Sequence, residues 1–289
     1  MKNRPEHAIQ LQINKLKNLP ALPEASVKIL EAINNPEISI DKLAEVLSLS
    51  PGLVARLLGL ANSAYFGQSR QVNDIRTAMF QVLGLDLVKS LAMGIVLNVE
   101  FDTRKCSCFD TEYFWMRSLT TAVAGQKLAA ASDFRIYPPS TIYNCGLLLY
   151  IGVLVLAYLA PEELNPILFR SQQKTPFSVS KEIIKHLGLS HYQIGYQLIM
   201  KWHLSPVYQA VLNSYEADYS SEDSSSMITL LKISQLLSSF LLDHKEFEPV
   251  EFEVLAEKAS LSVDSINQVF HELLEKQQNI EQLASIMAS

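Results

Sequence analysis

The residues that could hold a metal ion are few and scattered. Six histidines occur in the sequence, namely His7, His186, His191, His203, His244 and His271. One of them, His244, directly follows Asp243, but no HExxH pair is present. His186 and His191 stand on opposite sides of a Gly-Leu-Ser turn, so we do not expect them to share a helical face. The histidine pattern therefore predicts structural or exposed side chains rather than a metal site.

The cysteines give an equally weak metal signal. Cys106 and Cys108 form one close pair and Cys145 stands alone, whereas a zinc site usually needs two such pairs or additional histidines. Three cysteines are also too few, and too odd in number, for a disulfide framework, which favours a reducing, cytoplasmic environment. We expect free thiols at Cys106 and Cys108, and no cofactor.

Motifs for nucleophilic catalysis or phosphate binding are missing as well. The sequence contains no GxSxG, which would mark an activated serine, and no GxGxxG or GxxxxGK[ST], which would cradle a phosphate. These observations predict a protein that is not an enzyme.

Charge argues against nucleic acid as a partner. Lys and Arg number 24 against 30 Asp and Glu, so the formal net charge is -6 and no broadly basic surface is expected. Ile40–Asn62 does have the spacing of a helix-turn-helix. Its second helix, however, offers only Ser50, Arg56 and glycines to read bases, so two packed helices are the favoured interpretation. A DNA-binding regulator that depends on Arg56 remains an alternative.

The elements that would position these residues are predicted to be helices throughout. Hydrophobic residues make up 48% of the chain, and long segments of helical periodicity dominate it. The segment Ile136–Ala160 carries no charged residue, begins with Pro138-Pro139 and is stopped by Pro161. Such a helix is either a core helix or a membrane span. Its continuous apolar part, Gly146–Ala160, is shorter than the ~20 residues that a span needs, so we expect a core helix and no membrane partner.

Several stretches resemble the HDOD family, a helical output domain related to HD-type metal phosphohydrolases. The stretches are LPALPEASVKILEAINNP (Leu19–Pro36), LAEVLSLSPGLVARLLGLANSAYFG (Leu43–Gly67), DIRTAMFQVLGLDLVKSLAMG (Asp74–Gly94) and SHYQIGYQLIMKWHLSP (Ser190–Pro206). The resemblance covers about residues 19–240 and implies an all-α, two-lobed protein. A front lobe, 19–108, would pack on an HD-like lobe, 109–240. Outside it we expect an N-terminal helix over 1–18 and a C-terminal extension, 241–289, in which two polar helices begin near Phe247.

The resemblance also implies where HD metal ligands would stand. In HD phosphohydrolases a His, a His-Asp doublet and a later Asp hold one or two metal ions that activate water. Those positions fall here on Arg117, on Leu149-Tyr150 and on Gln235, and only His191 remains of the expected group. One imidazole cannot hold a catalytic divalent ion, and Arg117 would repel it. We therefore expect a vestigial pocket that either is closed by structural hydrogen bonds or holds a small anionic ligand, such as a nucleotide phosphate.

The family resemblance implies a stand-alone role in bacterial signal transduction through contact with a protein partner. The candidate contact surface is the Asn62–Gly67 connection, with Asn62, Ser63, Tyr65 and Phe66. The favoured interpretation, however, is that this connection is a buried corner between helices. A homo-oligomer is possible on this reading. The alternative functions are a metal-dependent phosphohydrolase acting on cyclic dinucleotides and the DNA-binding regulator.

Overall fold

The computed structural model describes residues 22–67, 71–133, 136–172, 178–216 and 222–289, and the N-terminal helix expected over 1–18 lies outside them. Within these ranges the chain forms helices and turns and no strand, which confirms the all-α class.

The helices before residue 132 are α1 Glu24–Asn34, α2 Ile40–Leu47, α3 Pro51–Ala61, α4 Ile75–Thr77, α5 Leu85–Glu100 and α6 Thr111–Ala131. A 3-10 turn, Ala64–Phe66, follows α3, and a π-helical segment, Ala78–Leu83, joins α4 to α5. The helices after it are α7 Pro139–Leu148, α8 Ile151–Leu159, α9 Pro161–Ser171, α10 Val179–Leu187, α11 His191–Lys201, α12 Pro206–Ser214, α13 Glu222–Leu242, α14 Glu253–Lys258, α15 Val263–Glu275 and α16 Gln277–Ala288.

Local sequence explains most of the helix starts. The side chains of Ser39, Ser50, Asp110 and Ser190 each accept a hydrogen bond from a backbone N–H in the first turn of the helix that follows. In addition, α3, α7, α9 and α12 each begin with a proline, whose missing N–H costs nothing at that position.

The uncharged segment is not one helix, as the sequence had predicted, but two. Helix α7 ends at Leu148 and α8 begins at Ile151, with Leu149 and Tyr150 in a turn between them. The N–H of Leu149 donates to the Gly146 carbonyl, and the N–H of Val153 donates to the Tyr150 carbonyl, in the tight spacing of a 3-10 helix. Taken across this break, Pro139–Leu159 is apolar and long enough to cross a membrane, but 78% of its most apolar window is buried inside the protein.

The break lets the two helices pack on different neighbours, and glycines set both contacts. A Cβ added at Gly146 would lie 2.8 Å from the Cα of Ala122 on α6. A Cβ added at Gly152 would lie 1.8 Å from the carbonyl oxygen of His191, at the start of α11. The chain therefore touches α6 backbone to backbone just before the turn and α11 just after it.

Helix α6 is the centre of the packing, since α7, α13, α15 and α16 all contact it. The described residues of both expected lobes share one hydrophobic core. The C-terminal extension contains α14, α15 and α16 rather than two helices, because the chain breaks once more at Lys276, between α15 and α16. Helix α16 packs on α6 and also on α3, α5 and the Ala64–Phe66 turn, so it joins the front lobe to the HD-like lobe.

We predict that Gly152→Ala destabilises the fold by about 3 kcal/mol or more, because its new methyl group meets backbone atoms that cannot rotate away. Gly52→Ala is the matched control, since a Cβ there would have no atom from another part of the chain within 4 Å. Its melting temperature should stay the same or rise slightly, as an alanine in a helix should. Equal melting temperatures of the two variants would contradict the close α8–α11 contact.

Candidate functional site

Arg117 of α6 occupies the position that the resemblance assigns to the first HD metal ligand. Its side chain is half-buried and reaches two other parts of the chain. The guanidinium carbon lies 4.9 Å from the centre of the Tyr150 ring, a cation-π distance, and Nη2 donates to Ser239 Oγ of α13 at 3.3 Å. Because arginine stays protonated at any ordinary pH, this site carries a permanent positive charge.

The doublet position lies in the turn between α7 and α8. Leu149 is completely buried, and Tyr150 is 5% exposed. The Tyr150 hydroxyl is enclosed but has no hydrogen-bond partner among the described residues. Neither side chain can ligate a hard divalent ion as a His-Asp pair does.

His191 begins α11 and is 2% exposed. Its ring is nearly parallel to that of Tyr150, with 6.1 Å between their centres, and Nδ1 lies 3.3 Å from Ser180 Oγ. Its Nε2 is enclosed without a partner in the described chain. Burial, with a smaller contribution from the Arg117 guanidinium, lowers the pKa of His191 to about 3, so the imidazole is neutral.

Gln235 of α13 connects two tyrosines that the predicted pocket did not include. Its Nε2 donates to the Tyr192 hydroxyl at 3.0 Å, and its Oε1 accepts from the Tyr215 hydroxyl at 3.0 Å. The Tyr192 ring lies against His191, with 3.8 Å between the ring centres. Tyrosines at helical spacing have the pattern of an ordinary core, which is why the sequence alone did not single out Tyr192.

These side chains form one polar cluster, which we call the Arg117 cluster. Its members are Arg117, Tyr150, His191, Tyr192, Tyr215, Gln235 and Ser239. The structure therefore brings together Arg117, Tyr150, His191 and Gln235 of the predicted pocket, whereas Leu149 contributes only to the apolar core.

The Arg117 cluster does not fit a metal ion. It has one imidazole and no carboxylate, and a fixed cation occupies it. In the parts of the chain that the structure describes, no three His, Cys, Asp or Glu side chains come close enough to share a metal. His186, which stands near His191 in the sequence, instead lies 3.2 Å from Glu182 within α10.

The candidate contact surface, Asn62 to Phe66, is held by contacts within the chain. Asn62 exchanges two hydrogen bonds with the backbone of Val72, both 2.8 Å long. Ser63 is buried, while Tyr65 and Phe66 are half-buried and their rings meet edge to face. The Lys276 ammonium lies 5.3 Å from the centre of the Tyr65 ring. The C-terminal extension thus covers part of this surface.

Two other sequence signals have structural roles. Arg56, on which the helix-turn-helix alternative depended, donates to the backbone carbonyl of Ser289. Cys106 is a free cysteine, as expected, and it is buried, with its thiol 3.4 Å from Asn165 Oδ1. Burial raises the pKa of Cys106 to about 11, so it is not a reactive thiolate.

Known proteins share this arrangement of helices. A proposed signal transduction protein from Marinobacter aquaeolei VT8 superposes with a TM-score of 0.80 at 22% identity, covering 99% of this chain and 67% of that one. A proposed phosphohydrolase from Shewanella amazonensis SB2B gives 0.77 at 23% identity, covering 96% and 97%. At such identities the likeness shows the fold, an all-helical HD-like architecture.

The family follows from the sequence match. A profile of the HDOD domain matches residues 19–217, and the chain belongs to the HDOD domain family. A protein of Treponema pallidum (strain Nichols), described as uncharacterized, is 28% identical over 251 residues. This match covers 84% of the chain but only 46% of that relative, so the chain spans about half the relative's length.

We predict that His191 makes stability depend on pH. The unfolded chain protonates this group near pH 6.5 and the folded protein only near pH 3, so the unfolded state binds more protons between these values. The contribution of His191 to the free energy of unfolding is fully present above pH 6.5. It decreases as the pH falls, and about 2 kcal/mol of it is lost at pH 5. Denaturant unfolding at pH 7.5 and 5.0 should therefore show a smaller difference for His191→Gln than for the wild type.

The exposed His271 provides the control for that experiment. His271→Gln should keep the wild-type difference between pH 7.5 and 5.0. If His191→Gln shows the wild-type difference too, then His191 is not a buried neutral group.

We further predict that Tyr65→Ala destabilises the fold by about 2 kcal/mol, because this side chain packs between α3 and the C-terminal extension. Tyr113→Ala is the matched control, since that tyrosine is 46% exposed. Thermal melts of both variants test the assignment. A Tyr65→Ala melt that equals the wild type, together with loss of a binding partner, would show instead that Tyr65 is a docking residue.

Proposed function

We propose that this chain is a non-catalytic regulatory module that transmits a signal through contact with a partner protein. The proposal is supported by the residues at the positions that the resemblance assigns to the HD ligands, which are Arg117, Leu149, Tyr150 and Gln235. A phosphohydrolase of this fold would need a metal ion to polarise the phosphoryl group and to lower the pKa of water. A guanidinium in that place repels the ion.

The chemistry of the remaining groups supports the same conclusion. A general base works best when its pKa lies near the working pH. The pKa of His191 is about 3, which makes the imidazole too weak a base, and burial raises the pKa of Tyr192 and of Tyr215 above the ordinary tyrosine value. The Arg117 cluster therefore has no group poised to activate water.

A contact role also needs a surface, and Phe80 is a candidate that the sequence did not suggest. Its side chain is 79% exposed, more than any other large apolar side chain in the described part of the chain. It lies on the π-helical segment Ala78–Leu83, and such segments recur at functional sites. Single exposed apolar side chains are common on protein surfaces, so the case for Phe80 rests on its place in the π-helical segment.

The catalytic alternative is tested with metal analysis and an activity assay. Protein purified without chelator should contain far less than one divalent ion per chain and should not hydrolyse a cyclic dinucleotide in the presence of Mn²⁺ or Mg²⁺. Its melting temperature should not rise with either ion beyond the rise caused by equal ionic strength. Turnover that requires metal would overturn the non-catalytic assignment.

The contact role is tested by co-purification from the source cell with wild-type protein and Phe80→Ser as baits. We expect the variant to lose a stoichiometric partner while its melting temperature is unchanged, because Phe80 contributes little to the core. Val254→Ser, which changes another apolar side chain that is 63% exposed, should retain the partner. Recovery of the same partner in equal amount with Phe80→Ser would reject this surface.

A further inference from the structure

The charge of Arg117 is not balanced by a carboxylate in the described parts of the chain. Arg76, Arg104 and Arg170, in contrast, lie 3.1, 2.6 and 3.8 Å from a carboxylate oxygen. Arg117 instead contacts the Tyr150 ring and the Ser239 hydroxyl and interacts with other tyrosine side chains, none of which is a carboxylate. We propose that the mouth of the Arg117 cluster binds a phosphate group carried by a small molecule, with Arg117 as the binding cation. This inference rests on the proposed function, because it requires that no metal ion occupies the same place.

Arg117 lies at the partly exposed edge of the cluster. Arg117, Gln235 and Ser239 are all half-buried, so part of the cluster reaches the surface of the protein. An arginine side chain can present two parallel N–H groups to two oxygens of one phosphate, which no other side chain does. The Ser239 hydroxyl accepts from Arg117 and donates its own proton to the Gln235 backbone carbonyl at 3.0 Å, so Arg117 is the donor that a phosphate would meet here.

The interior of the cluster supplies an independent reason to expect a ligand. Three polar atoms there are enclosed without a partner in the described chain, namely Arg117 Nε, Tyr150 Oη and His191 Nε2. Tyr150 and His191 are more than nine-tenths buried and lie next to the guanidinium. Arg117 Nε is a donor and Tyr150 Oη can donate, and His191 Nε2 donates in the tautomer whose Nδ1 accepts from Ser180. A set rich in donors around a cation is complementary to an anion.

An aromatic side chain at the mouth extends the inference to nucleotides. Tyr113 stands one helical turn before Arg117 on α6 and is 46% exposed. Its ring offers a flat apolar surface on which a base can stack while the phosphate contacts Arg117. We therefore expect a nucleoside monophosphate to bind more tightly than inorganic phosphate does.

The experiment is titration calorimetry on the full chain, after treatment with a chelator and dialysis, at low ionic strength. The probes are inorganic phosphate, adenosine monophosphate and adenosine. We expect binding of both phosphates, tighter for the nucleotide, and none of adenosine alone. Arg117→Gln should weaken both phosphates at least tenfold, whereas Arg104→Gln, whose arginine already pairs with Asp102, should change neither. Tyr113→Ala should reduce the nucleotide to the affinity of inorganic phosphate.

Several results would overturn the inference. They are no binding of either phosphate, adenosine binding as tight as that of the nucleotide, and equal losses in Arg117→Gln and Arg104→Gln. A melt shows whether Arg117→Gln folds. If it does not, Arg117→Lys keeps the charge without the paired N–H groups and should weaken phosphate severalfold. Metal-dependent turnover would overturn the regulatory role and the anion site together, whereas absence of phosphate binding without such turnover would remove only the anion site.

Discussion

The backbone contact between Gly152 and His191 is the constraint on which the site depends. Helix α8 can approach α11 this closely only because residue 152 has no side chain. Gly195 on α11 lies at the same crossing, since a Cβ added there would lie 3.4 Å from the backbone nitrogen of Gly152. The second contact, between Gly146 and Ala122, holds α7 on α6. Leu149 and Tyr150 lie between these two fixed points. Tyr150 is thereby held between Arg117 and His191, and the Arg117 cluster follows from how the helices cross.

A cation in place of a metal ion changes what the fold can do. Removing one charge from water without a partner costs several kcal/mol, so a buried guanidinium persists only where its surroundings compensate it. Here the compensation comes from the Tyr150 ring, a hydroxyl and partial exposure to solvent. Unlike a metal ion, arginine does not make water acidic. We therefore propose that this position binds an anion rather than generates a nucleophile.

Much of the fold could be predicted from the sequence, because helix ends have local causes. Pro139 opens α7 and Pro161 opens α9, at prolines that the sequence analysis had singled out. The break at Leu149 could not be predicted, since the turn contains neither glycine nor proline and its cause is the pair of crossings on α6 and α11. The resemblance located Arg117 and Gln235. The partners of Gln235 are contacts between distant helices, which no local pattern reveals.

The C-terminal extension packs on both lobes of the fold. Lys127 of α6 pairs with Glu272 of α15, and Arg56 of α3 donates to the end of α16. Met287 is completely buried, and its methyl group would clash with a Cβ at Gly94 of α5. These contacts fix the front lobe and α6 to the same helices. Since α6 also carries Arg117, a change in how the extension packs would be felt at both the Asn62–Phe66 surface and the Arg117 cluster.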